Sequence, residues 1–131
     1  MVKQQRLTKR ALATTQPHTC FSFDAGIGTS ANDDSGNTHT GTLLGNATWA
    51  AGKTGNAALL DGTSGYISLP NDLMIDVADF TVVTWVYWNG TSNNQRIFDF
   101  GTGIGEYLYL TPPDGSGHLR FGITTNLGVG E

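Results

Sequence analysis

Turn-forming residues break positions 45–115 of this chain mostly into pieces too short for an ordinary helix. Gly45-Asn46, Gly52–Asn56 and Gly62–Gly65 are such breaks, and so are Asn89-Gly90 with Thr91–Asn94, Gly101–Gly105 and Pro112-Pro113-Asp114-Gly115. Gly and Asn supply left-handed turn positions, and Pro followed by Asp-Gly makes a turn by its own chemistry. The breaks recur at about 8–12 residues, the spacing of an antiparallel sandwich. Between them lie strand candidates at Thr19–Asp24, Thr40–Leu44, Thr48–Trp49, Ala57–Asp61, Tyr66–Leu69, Phe80–Trp88, Gln95–Phe100, Glu106–Thr111 and His118–Thr125. Ala25–Thr38 reads as loop and Asn71–Val77 as a helical turn. The 18 Gly and 18 Thr among 131 residues agree with strands and turns. The expected fold is all-β, and no run approaches the roughly 18 apolar residues of a membrane span.

Phe80–Trp88 shows the clearest alternation. Phe80, Val82, Thr84, Val86 and Trp88 share one face, and Thr81, Val83, Trp85 and Tyr87 share the other. Both faces are largely apolar, which predicts a central strand covered on both sides.

Charge divides the chain. Lys3, Arg6, Lys9 and Arg10 give the first ten residues a basic head, and residues 1–18 read as a tail with helical potential at Gln4–Ala13, ending at Pro17. Ala11-Leu12-Ala13 is too short for the apolar core of a signal peptide. Beyond residue 10, three cations (Lys53, Arg96 and Arg120) face eleven acids. A body this acidic repels phosphate backbones, so nucleic acid is not an expected partner. Cys20 stands alone, which excludes an intramolecular disulfide and predicts a small apolar filler in its strand.

His18, His39 and His118 have no metal-binding spacing, so only folding could bring them together. Nucleotide-binding and nucleophile-elbow motifs are absent from the sequence. Asp99 and Glu106 flank one hairpin and are the best available pair for glycoside hydrolysis, which needs two carboxylates about 5–9.5 Å apart. Binding fits the residues better. Tyr87, Tyr107 and Tyr109 lie on predicted strands, with Arg96, Asp99 and Arg120 on neighbouring segments. Aromatic faces stack on sugar C–H surfaces, and carboxylate and guanidinium groups bond hydroxyls in pairs. Parity places Tyr107 and Tyr109 opposite Leu108 and Leu110, so the tyrosine face is expected to be the wet one. Asp24 and Asp61, with Asp33 and Asp34, sit beside Gly-rich loops and are calcium candidates, and Asx-turns explain the same placement.

An ordered series of segments resembles a known family. It runs from Phe21-Ser22-Phe23-Asp24 through Asp34-Ser35-Gly36-Asn37, Gly55-Asn56-Ala57-Ala58-Leu59-Leu60-Asp61-Gly62 and Tyr66-Ile67-Ser68-Leu69-Pro70 to Phe80-Thr81-Val82-Val83-Thr84-Trp85-Val86. It continues with Arg96-Ile97-Phe98-Asp99-Phe100-Gly101, Tyr107–Pro112 and Leu119-Arg120-Phe121. The series resembles the laminin-G-like, concanavalin A-like lectin/glucanase jelly-roll domains of bacterial secreted proteins. That resemblance implies an antiparallel jelly-roll sandwich over residues 19–131, and a non-catalytic carbohydrate-binding or adhesion module of a secreted or cell-surface protein. Its implied partners are a polysaccharide or glycoconjugate and other domains of a larger parent, sometimes with a structural calcium. A structural spacer and a glucanase are the alternatives. Family members continue past the position of Glu131 with further strands, so the resemblance also implies an incomplete jelly roll.

Overall fold

The structure, a computed structural model, describes residues 16–89, 95–101, 105–112 and 117–124. Among these residues it is all-β. The strands are β1 (Ser30–Ala31), β2 (Gly41–Leu44), β3 (Thr48–Ala51), β4 (Asn56–Leu59), β5 (Tyr66–Ser68), β6 (Phe98–Gly101), β7 (Tyr107–Thr111) and β8 (Arg120–Thr124). They form three antiparallel sheets, ordered β1-β2-β5, β3-β4 and β6-β7-β8.

Local sequence accounts for the first two sheets. In β2, Gly41 and Leu43 point inward and Thr42 and Leu44 outward, the alternation of a half-buried strand. The absence of a side chain at Gly41 admits Ile67 and Leu69, since a Cβ there would stand 2.9 Å from the Ile67 methyl. The β3–β4 hairpin closes through Gly52 N–H, which donates to Gly55 O at 2.9 Å. Trp49 of β3 donates its indole N–H to Gly28 O at 2.8 Å, tying the hairpin to the chain ahead of β1. Gly45 follows β2 with φ +60° against the Ser64 carbonyl, a conformation and a closeness that a side chain would not tolerate.

Three expectations are corrected and one holds. Thr19–Asp24 is not a strand, because its N–H groups go largely to side chains: Cys20 N–H donates to Asp33 Oδ1 at 3.0 Å and Ser22 N–H to Asp34 Oδ2 at 2.9 Å. Cys20 is exposed rather than a core filler. Asn71–Val77 forms the expected helical turn, with i→i+3 bonds from Leu73 N–H to Pro70 O and from Ile75 N–H to Asp72 O. Phe80–Trp88 is assigned no strand and is not covered on both sides. Its exposure alternates. Val83, Trp85 and Tyr87 stand 84%, 98% and 92% exposed, and Phe80, Val82 and Val86 about half. The two-residue β1 was not expected, and the helical potential at Gln4–Ala13 and the turn at 90–94 lie outside the described residues.

Candidate functional site

The ladder of the third sheet sorts its residues by face. Asp99 pairs with Tyr109 and Gly101 with Tyr107, and across β7 Tyr107, Tyr109 and Thr111 pair with Thr124, Gly122 and Arg120. Directly paired residues share a face. One face therefore carries Asp99, Tyr107, Tyr109, Thr111, Arg120 and Gly122, and the other carries Phe98, Phe100, Leu108, Leu110, Phe121 and Ile123.

The tyrosine face is less wet than parity alone suggested. Tyr109 is only 5% exposed. Gly122 lets its ring lie down on the sheet, since a Cβ there would come within 2.5 Å of the ring. Arg96 then lies over the ring, with its guanidinium carbon 4.0 Å from the centroid. The Tyr107 ring tilts against Tyr109 at a centroid distance of 5.2 Å. Arg96 Nε also approaches Asp99 Oδ2 at 3.5 Å, a partly exposed pair that adds at most about 1 kcal/mol to stability.

Four of the six candidate binding residues are thus linked by successive contacts, from Asp99 through Arg96 and Tyr109 to Tyr107. Arg120 shares their face at the far end, opposite Thr111, whose hydroxyl donates to Arg120 O at 3.3 Å. Tyr87 belongs to the bare side of the Phe80–Asn89 segment, beside Trp85. Asp99 and Glu106 do not face each other, because Asp99 lies opposite Tyr109 and Glu106 precedes β7.

The calcium candidates are engaged by N–H donors. Asp61 Oδ1 accepts from the backbone of Thr63, Ser64 and Gly65, and its Oδ2 accepts from Asn46 Nδ2. Those backbone bonds, with Asn46, hold its carboxyl well below the usual carboxylate range. Asp24 Oδ1 accepts from Asn56 N–H at 2.9 Å, and the Asp24 carbonyl accepts from the Asn56 amide at 3.0 Å. Both Asp61 oxygens and Asp24 Oδ1 thus already accept N–H groups, and among the described residues no three His, Cys, Asp or Glu side chains form a metal-holding group.

Asp33 performs the same service for the segments on either side of β1. Its side chain has no solvent-accessible surface, and its oxygens accept from the N–H groups of Cys20, Ser35 and His39. Burial works to raise its pKa. The bonds from Ser35, Cys20 and His39 outweigh that and hold the carboxyl well below the usual range.

Folding around Asp33 also brings together two histidines 21 residues apart in sequence, His18 and His39, with ring centroids 4.8 Å apart. No spacing rule could have found that pair. Gly122 did carry a signal, since a glycine inside a strand marks close approach by a side chain or backbone.

Comparison with known proteins agrees with this architecture. The family model described as the concanavalin A-like lectin/glucanases superfamily matches residues 61–130. A crystal structure of an S-layer domain-containing protein (residues 221–444) from Clostridium thermocellum superposes with a TM-score of 0.73 at 26% identity. The match covers 84% of this chain and 52% of that one, so the chain spans about half the length of the solved chain. No curated protein sequence matches. With its antiparallel sheets and a matched stretch covering more than half its length, the chain belongs to the concanavalin A-like lectin/glucanase superfamily.

Proposed function

We propose that this chain is a non-catalytic carbohydrate-binding or adhesion module of a bacterial cell-surface or secreted protein, with a polysaccharide or glycoconjugate as its ligand. The observation that carries the reading is the Arg96–Asp99 pair set over Tyr109 and beside Tyr107. A guanidinium and a carboxylate side by side match the donor and acceptor pattern of adjacent sugar hydroxyls, and the aromatic rings beneath fix their positions. Tyr87, with Trp85, offers a bare aromatic surface of the kind that stacks on a sugar ring. Superfamily membership and the S-layer neighbour support the surface setting.

Affinity electrophoresis in a panel of polysaccharides tests this. At least one polysaccharide should retard the protein, and Asp99→Ala should weaken that binding about 10- to 100-fold through loss of a charged hydrogen-bonding partner. Absence of retardation across the panel would overturn the proposal. It would favour a spacer role, in which the apolar row Val83, Trp85 and Tyr87 packs against another domain of the parent. The catalytic alternative predicts reducing-sugar release that disappears in Asp99→Asn. The proposed module releases none.

A further inference from the structure

We infer that His18 and His39 form a two-imidazole site for a divalent transition-metal ion of the zinc, nickel or copper type. The argument begins with the hydrogen atoms. His18 Nε2 lies 2.7 Å from Leu73 O, and His39 Nδ1 lies 3.1 Å from His18 O. A carbonyl oxygen only accepts, so each of these ring nitrogens carries its proton. In the neutral imidazole the other nitrogen, Nδ1 of His18 and Nε2 of His39, then holds an available lone pair. One backbone carbonyl per ring fixes the tautomer and leaves the second nitrogen as a metal donor, which is the usual support around a metal-bound histidine.

The surroundings fit an ion. Asp33 Oδ2 lies 3.7 Å from His39 Nδ1, beyond hydrogen-bond distance, and sets a negative charge beside the imidazole. Asp33 itself is committed to three backbone N–H groups, so it acts behind the histidine and not as a ligand. The ring centres stand 4.8 Å apart with planes tilted by 36°. Rings at this separation are close enough for one ion about 2.0–2.1 Å from a nitrogen of each. His18 is exposed, so the ion can enter from solvent, and two protein ligands leave its remaining positions to water or to an oxygen of a bound molecule. Imidazole nitrogens suit zinc, copper and nickel, whereas calcium prefers oxygen.

The test follows the histidine ring nitrogens of the wild-type chain by long-range proton–nitrogen NMR during zinc titration. Before zinc, His18 should show the Nε2–H tautomer and His39 the Nδ1–H tautomer. On addition, His18 Nδ1 and His39 Nε2 should shift together and saturate at one equivalent, with no matching change at His118. His18→Gln keeps an N–H donor for Leu73 O and should weaken zinc binding at least tenfold by calorimetry, and His118→Gln should leave it unchanged. Rings that share the same tautomer mixture, a shift at only one of them, an equal response at His118, or no response at millimolar zinc would each overturn the site.

Discussion

Leu108 sits buried in β7 between its ladder partners Phe100 and Ile123, whereas Trp85, centred in the run with the clearest alternation in the chain, is almost wholly bare. Both segments alternate with period two, and both carry large apolar side chains on at least one face. They differ in their neighbours. β7 is flanked by β6 on one side and β8 on the other, and Phe80–Trp88 has no ladder among the described residues. Alternation decides which side chains share a face. Burial depends on strands contributed from elsewhere in the chain, and one segment cannot supply both. The half-covered even side of Phe80–Trp88 and its bare odd side record that division.

The contrast can be broken or sharpened by substitution. Leu108→Ala should destabilise the fold by about 2–5 kcal/mol, the range for a buried leucine, read from urea unfolding. A loss below about 1 kcal/mol would remove β7 from the core. Asp33→Ala should cost about 2–4 kcal/mol, because it strands three backbone N–H groups that no ladder supports. Gly122→Ala should cost about 1–3 kcal/mol by lifting Tyr109 off β8, and its near-ultraviolet dichroism should change with it. Trp85→Ala should lie within about 0.5 kcal/mol of wild type, the effect of an exposed position. If Trp85→Ala proved as costly as Leu108→Ala, the difference between the two regions would vanish.

Acid offers a second lever. Asp33 and Asp61 titrate below the ordinary value of 3.8, so the native state binds fewer protons than the unfolded chain in that range. Their contribution is therefore complete above about pH 5 and is lost progressively as pH falls below it. Asp33→Asn should flatten the acid limb of a stability–pH curve. Calcium in place of chelator should leave the urea midpoint unchanged, since the Asp61 oxygens and Asp24 Oδ1 already accept N–H groups. An upward shift would place the ion there after all.

Much of the third sheet was legible from the residues alone. The parity of Tyr107 and Tyr109 against Leu108 and Leu110 is the observed one, and Arg96 and Asp99 meet beside it. The covering of Tyr109 was not legible, because it depends on a glycine one strand away and on an arginine outside the ladder. Thr19–Asp24 departs from its strand-like composition for a related reason. Its composition suits a strand, but carboxylates of Asp33 and Asp34 take N–H groups that a strand would have taken. The same loop closure set His18 against His39, a juxtaposition that no local pattern encodes.

Native-state hydrogen exchange tests the central contrast most directly, since ladder amides open only with the sheet and unladdered ones exchange locally. Amides of Leu108 and Leu110 should be among the slowest in the chain, and those of Val83, Trp85 and Tyr87 should exchange at near-unprotected rates. Equal protection in the two segments would contradict the account.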